Sequence, residues 1–205
     1  MPDFTKSLAR YMPEAAAPII SQWIVDTECR FRISRSRSTK LGDYRAPFQG
    51  QTHQISVNHD LNPYAFLITT VHEFAHLKTW TQHKHRVKPH GLEWKNNFKT
   101  LMTPFFKLQV LPHDVTVALV KYMDNPAASS CTDLNLYRTL KKYDQGASEV
   151  ITVESVPIDS VFSLKNGRVF QKKEKLRKRF ECVELATGRF YLFHPIAEVI
   201  PVPPA

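Results

Sequence analysis

Apolar side chains recur at helical spacing over residues 14–28, where Ala17, Ile20, Trp23 and Ile24 form one stripe and Pro18 falls in the first turn. This predicts an amphipathic helix with its stripe against a core. From residue 31 the period changes. The stretch FRISRSRSTKLGDYRAPFQGQTHQISVN alternates in short runs punctuated by Gly42, Pro47 and Gly50, the pattern of a small antiparallel sheet. Residues 58–63 supply turn and capping residues, and residues 64–80 then run on without Gly or Pro, carrying Phe66, Leu67, Val71, Phe74, Ala75 and Leu77. That is the strongest helix signal in the chain. A polar loop, TQHKHRVK, leads through Pro89 and Gly91 to a second helical pattern over residues 92–102, with Trp94, Phe98, Leu101 and Met102 on its apolar side and Pro104 placed to close it.

Two more helices are expected at residues 112–123 and 132–143, separated by the loop DNPAASSC. Beyond Gly146 the texture turns β-rich, and Asn166-Gly167 and Thr187-Gly188 mark turns between strands. A boundary therefore falls near residues 145–150. It separates a region 1–145, of helices and one small antiparallel sheet, from a small, basic, β-rich region 150–205 whose final PVPPA is expected to fray. The fold class is α+β.

Composition sets limits on this picture. The 205 residues are 42% hydrophobic and 23% charged, so an ordinary buried core is available and wholesale disorder is excluded. No apolar run approaches the roughly 18 residues that span a bilayer. The N-terminus also lacks a basic start followed by an apolar stretch, so the expectation is a soluble, cytoplasmic protein with no membrane partner. Cys29, Cys131 and Cys182 stand far apart with no CxxC pair, which fits reduced thiols and excludes a disulfide framework or a four-cysteine zinc site within the chain. The net charge of +9 favours an anionic partner such as nucleic acid.

The candidate chemistry lies on the strongest helix, which reads His72-Glu73-Phe74-Ala75-His76, the HExxH pattern. Residues four apart lie one above the other on a helix, so both imidazoles can reach one tetrahedral ion at about 2.0–2.1 Å. Glu73 is turned about 100° away from His72 and can reach a water beside the ion without ligating it. That is the position of a general base. A catalytic zinc usually takes a third protein ligand. His83, His85, His90 and Glu93 are the nearby candidates, while Thr79 and Gln82 exclude the HExxHxxGxxH variant. His90 is the best placed, at the start of the next helix after a loop long enough to turn the chain back, whereas His83 and His85 stand in a solvated basic loop.

The order of an Arg-rich hairpin, an ISVN strand end, a helix carrying VHEFAH and then HGLEW resembles the SprT-like family of zinc metalloprotease domains, which includes the Spartan proteases; the likeness covers roughly residues 10–105. The resemblance implies one Zn2+ ligated by His72, His76 and His90, with Glu73 as catalytic base. It also implies a compact zincin-like fold and proteolysis of proteins bound to or crosslinked with DNA. Many bacterial members of that family carry a C-terminal zinc ribbon with paired cysteines. Here Cys182 alone stands in that region, so the β-rich tail is expected to be a metal-free counterpart.

Two basic segments suggest contacts with a phosphate backbone. One is the run with Lys172, Lys173, Lys175, Arg177, Lys178 and Arg179; the other is the comb Arg30, Arg32, Arg35, Arg37 and Lys40, in which Phe31 and Ile33 would face the core. Phe162, Phe170, Phe180, Phe190, Tyr191 and Phe193 are read mostly as the core of the β-rich region. The main alternative to a protease is a non-catalytic nucleic-acid-binding protein that uses the same histidines for a structural metal.

Overall fold

The computed structural model describes residues 2–37, 40–124, 126, 133–145 and 151–202. The chain is α+β and divides into two compact units, Met1–Gln145 and Gly146–Ala205.

In the first unit a short helix α1 (Thr5–Leu8), not anticipated from the hydrophobic pattern, precedes a 3-10 turn at Glu14–Ala16 and helix α2 (Ala17–Thr27). Pro18 sits in the first turn of α2, where its missing N–H breaks no bond. Ala17, Ile20 and Ile24 are buried, and Trp23 packs edge-on against Phe74 and Phe105, with ring centroids 5.4 and 5.6 Å apart.

Strands β1 (Arg30–Ser34), β2 (Gly42–Arg45) and β3 (Gln54–Asn58) form a sheet in the order β1-β3-β2. Contrary to the antiparallel sheet expected, it is mixed: β2 is antiparallel to β3, but β1 is parallel to it. Nor do β1 and β2 make a hairpin, because β3 lies between them. A parallel pair needs a connection of about a dozen residues or more, and the excursion through β2 supplies it. Strand alternation puts Phe31, Ile33, Tyr44, Ile55 and Val57 on one face, packed with the helical core, and Arg30, Arg32, Asp43, Arg45, Gln54 and Ser56 on the other.

Helix α3 (Pro63–His83) opens on an Asn62 cap, whose side chain accepts the Ala65 N–H at 3.0 Å, with Pro63 at the first helical position. Every residue from Ala65 to Ala75 is buried, so this is a core helix packed all round. Helix α4 (Leu92–Lys107) does not stop at Pro104 as its missing N–H suggests. The carbonyl that Pro104 leaves without an intrahelical donor belongs to Thr100, on an exposed turn where water can serve it, while Phe98, Met102 and Phe105 anchor the buried side.

Helices α5 (His113–Asp124) and α6 (Leu134–Lys141) complete the unit. Asp133 caps α6, and the Asn62 amide donates to the Leu140 carbonyl at 2.9 Å and to Asp144 at 2.7 Å, tying the end of α6 to the start of α3. Thr132 of the expected helix, Cys131 and most of the DNPAASSC loop lie outside the described residues. No helix among the described residues is long and apolar enough to cross a membrane.

The second unit is one antiparallel sheet of β4 (Ile151–Thr152), β5 (Val161–Ser163), β6 (Val169–Leu176), β7 (Arg179–Glu184), β8 (Phe190–Phe193) and β9 (Glu198–Pro201), in the order β4-β9-β5-β6-β7-β8. Gly167 and Gly188 take positive φ in the two expected turns. Phe162, Phe170, Phe180, Cys182 and Val199 are buried, and Tyr191 and Phe193 pack on them; Phe190 instead is exposed on edge strand β8. Of the PVPPA segment, Pro201 and Val202 are held in place, and residues 203–205 lie outside the described residues. Pro201 ends β9 opposite Phe162, and the Val202 N–H reaches the Val161 carbonyl at 3.2 Å.

Candidate metal centre

His72 and His76 project from adjacent turns of α3, and His90 closes on them from the residue pair ahead of α4. The Nε2 atom of His72 stands 3.2 Å from that of His76 and 3.2 Å from that of His90. Two nitrogens on a tetrahedral ion at 2.0–2.1 Å are about 3.3 Å apart by simple trigonometry. The spacing therefore fits a shared ion, and the three histidines form the group among the described residues that could hold a metal. His83, His85 and Glu93 are not in that group.

His90 reaches the site through a left-handed backbone conformation, φ 57°, which is uncommon for a residue with a Cβ. Below the imidazoles lies Trp94, with no solvent exposure, its ring centroid 4.6 Å from His72, 5.4 Å from His76 and 4.6 Å from His90. Trp94 in turn stacks flat on Phe98 at 5.3 Å. On the sheet side Tyr44 lies parallel to His76 at 6.2 Å and holds the Nδ1 of His53 through its hydroxyl at 2.9 Å. These aromatic walls restrict ring rotation.

Electrostatics favour a cation. Burial, reinforced by the neighbouring imidazoles, pushes His72 down to about 2, and the same causes push His76 to about 3; burial lowers His90 as well. At neutral pH all three are uncharged and have lone pairs to offer. Glu73 is also buried, and burial together with the Asp43 carboxylate raises it to about 8, partly offset by Arg37 and Lys40. It packs against β2 at Gly42, where an added Cβ would lie 2.8 Å from Thr69 Cγ2 and 2.9 Å from the Glu73 carboxyl carbon. A glycine is needed there for the strand to approach the carboxylate. Gly42, Asp43, Tyr44 and Trp94 are parts of this site that spacing alone did not identify. Gly42, Asp43 and Tyr44 contribute because β2 lies beside α3, and Trp94 because α4 packs on α3, neither of which a local pattern encodes.

The nucleic-acid candidates are dispersed. Lys172 is 3% exposed; its ammonium donates to the carbonyls of Val156 and Glu154 and lies 4.0 Å from the Phe180 ring centroid, so it is structural and does not face a ligand. Strand alternation turns it inward opposite Cys182, which its place in a charge run concealed. Lys173 pairs with Asp159 at 2.9 Å, while Lys175, Arg177, Lys178 and Arg179 are exposed around the β6–β7 turn. Arg35 is exposed, and Arg37 lies across the first unit's sheet, donating to Asn58 at 2.8 Å and to Ser56 at 3.1 Å.

Comparison of the chain with protein-family models, with curated proteins and with solved structures finds no match in any of the three. A three-histidine centre that could hold a metal ion, beside a buried carboxylate, is what the geometry itself defines.

Proposed function

We propose that the chain is a zinc-dependent endopeptidase of the SprT-like kind, acting on DNA-associated or DNA-crosslinked proteins. The observation that carries this reading is a three-imidazole donor set with a buried carboxylate, Glu73, on the same helix yet outside the set. His72, His76 and His90 would hold one Zn2+, three protein ligands being the usual share of a catalytic zinc site. When bound, the ion polarises a scissile carbonyl and brings the pKa of water down to about 7.

Glu73 has the proton-transfer role. It accepts a proton at a carboxylate oxygen from the attacking water and returns it to the leaving amine. Burial raises the Glu73 carboxyl in the metal-free chain, and the charge of a bound ion would draw it back toward ionisation, the form that accepts a proton. Trp94 and Tyr44 hold the imidazoles in orientation, and Gly42 leaves room for the Glu73 carboxylate against β2.

The test is metal analysis of the full chain together with cleavage assays on a protein substrate, with and without DNA, repeated on Glu73→Gln. The expected result is one zinc per chain in both proteins and cleavage slowed roughly 10²–10⁴-fold in the variant. Unchanged cleavage defeats the mechanism. An ion closed off by a fourth protein ligand would instead establish the non-catalytic, structural-metal role.

A further inference from the structure

The outward face of the β1-β3-β2 sheet is built of two cross-strand rows. Arg30, Gln54 and Arg45 align in one, and Arg32, Ser56 and Asp43 in the next. Together with Ile55 these residues line a cleft of about 110 Å³. Asp43 is the one acid in it, and it is already neutralised by Lys40 at 2.8 Å and Arg45 at 3.0 Å. Arg37 lies over the same face through Ser56 and Asn58. Arg30 and Arg32 are exposed and have no ion-pair partner among the described residues. Five cations thus converge on one acid, in a cleft whose other lining residues are Gln54, Ile55 and Ser56.

We infer that this face binds the phosphodiester backbone of a nucleic acid, Arg30, Arg32 and Arg45 meeting its phosphates. Successive residues on one side of a strand are about 6.6–6.8 Å apart, and β1 and β2, two strand spacings apart, are separated by about 9.5 Å. Three guanidinium forks on that grid can engage more than one phosphate, each bidentately. No aromatic side chain lines the cleft, so there is no stacking platform, and binding rests on backbone charge without base preference. At the β6–β7 hairpin Lys172 is buried and Lys173 is paired with Asp159, which leaves Lys175, Arg177, Lys178 and Arg179 as the rival surface. It also lies across β2 from Glu73, whose carboxylate abuts Gly42 on the same strand, so a docked strand runs one sheet thickness from the candidate metal centre. The inference stands on the sheet and does not need the hydrolytic reading.

The experiment measures binding of fluorescent single-stranded and duplex oligonucleotides to the full chain across a salt series, without zinc. It is repeated on Arg30→Ala/Arg32→Ala, on Arg30→Lys/Arg32→Lys and on the hairpin variant Lys175→Ala/Arg177→Ala/Lys178→Ala. The alanine pair should weaken binding at least tenfold at low salt and reduce the log–log salt slope by about 1.4 for single strands or about 1.8 for duplex. The lysine pair should restore the slope, and its circular dichroism and that of the alanine pair should match the parent. Unchanged affinity in the alanine pair, loss confined to the hairpin variant, or equally tight binding of a polyglutamate peptide would overturn the inference. Glu73→Gln should bind the oligonucleotides as the parent does, so a failure of proteolysis and a failure of this interface are told apart.

Discussion

In the C-terminal unit the buried ionisable groups are fully partnered. Glu184, 6% exposed, accepts from Arg168 at 2.7 Å, Thr187 at 2.6 Å and Tyr191 at 3.4 Å, and Lys172 donates to two carbonyls beneath the Phe180 ring. In the first unit Glu73, also 6% exposed, receives no hydrogen bond from a described residue, and His72, 7% exposed, has two other imidazoles beside its Nε2. The two environments drive the glutamates in opposite directions: the Arg168 and Thr187 hydrogen bonds pull Glu184 down to about 2, and burial pushes Glu73 up to about 8. Buried charge with partners stabilises a fold, whereas buried charge without them destabilises it and is retained where chemistry needs it.

That contrast can be broken most forcefully at Glu73. In the metal-free protein its folded pKa, about 8, lies above the ordinary 4.5, so the folded state retains a proton that the unfolded chain releases. Glu73's own contribution to the stability of the first unit should fall as pH rises from about 4.5 and level off above about 8, a loss on the order of 3 kcal/mol at pH 7; the lowered His72, His76 and His90 act in the opposite sense below about pH 6.5, so it is read as the difference between the parent and Glu73→Gln. Glu73→Gln should remove that slope and raise the stability of the metal-free protein at pH 8. Trp23, Trp80 and Trp94 all lie in the first unit, so denaturant unfolding followed by tryptophan fluorescence reports on it alone. A variant less stable than the parent at pH 8 would show that Glu73 has partners after all.

A comparable effect is expected from the ion. Zinc at 100 times its Kd should stabilise the first unit by about 2.7 kcal/mol, reversed by a chelator. His76→Ala should abolish the gain while leaving the unit folded; a gain that survives the substitution places the ion elsewhere. The smallest effect is expected at Glu184. Its folded pKa is depressed, so its contribution is present above about pH 4.5 and is lost as pH falls toward 2. Glu184→Gln should lower the thermal transition of the second unit at pH 7, read by far-ultraviolet circular dichroism, and the difference from the parent should shrink in acid.

Much of this could be read along the chain where the physics is local. The helix that carries HExxH was visible because its apolar positions, its Asn62 cap and the four-residue spacing of His72 and His76 are all settled within a few turns. The β-strands of the second unit announced themselves through Asn166-Gly167 and Thr187-Gly188 for the same reason. Pro104 was misjudged because its penalty depends on whether the orphaned Thr100 carbonyl faces water, a matter of surroundings. Lys172 and Lys173 are equivalent in a charge count, and only the pleat and the pairing with β7 decide that one is buried and the other exposed to Asp159.

The amino-acid sequence by itself therefore determined the helix, the two imidazoles on one of its faces and the glutamate turned away from them, since a helix repeats within four residues. The sequence also favoured His90 among the downstream histidines, from its place ahead of the next helix, while tertiary structure alone decided that β3 inserts between β1 and β2, that Gly42 leaves space for Glu73, and that Arg45 joins Arg30 and Arg32 on one face. Those outcomes depend on segments far apart in the chain being brought side by side, and the free energy that does so comes from burying Phe66, Trp94, Phe98, Ile55 and their neighbours as one core.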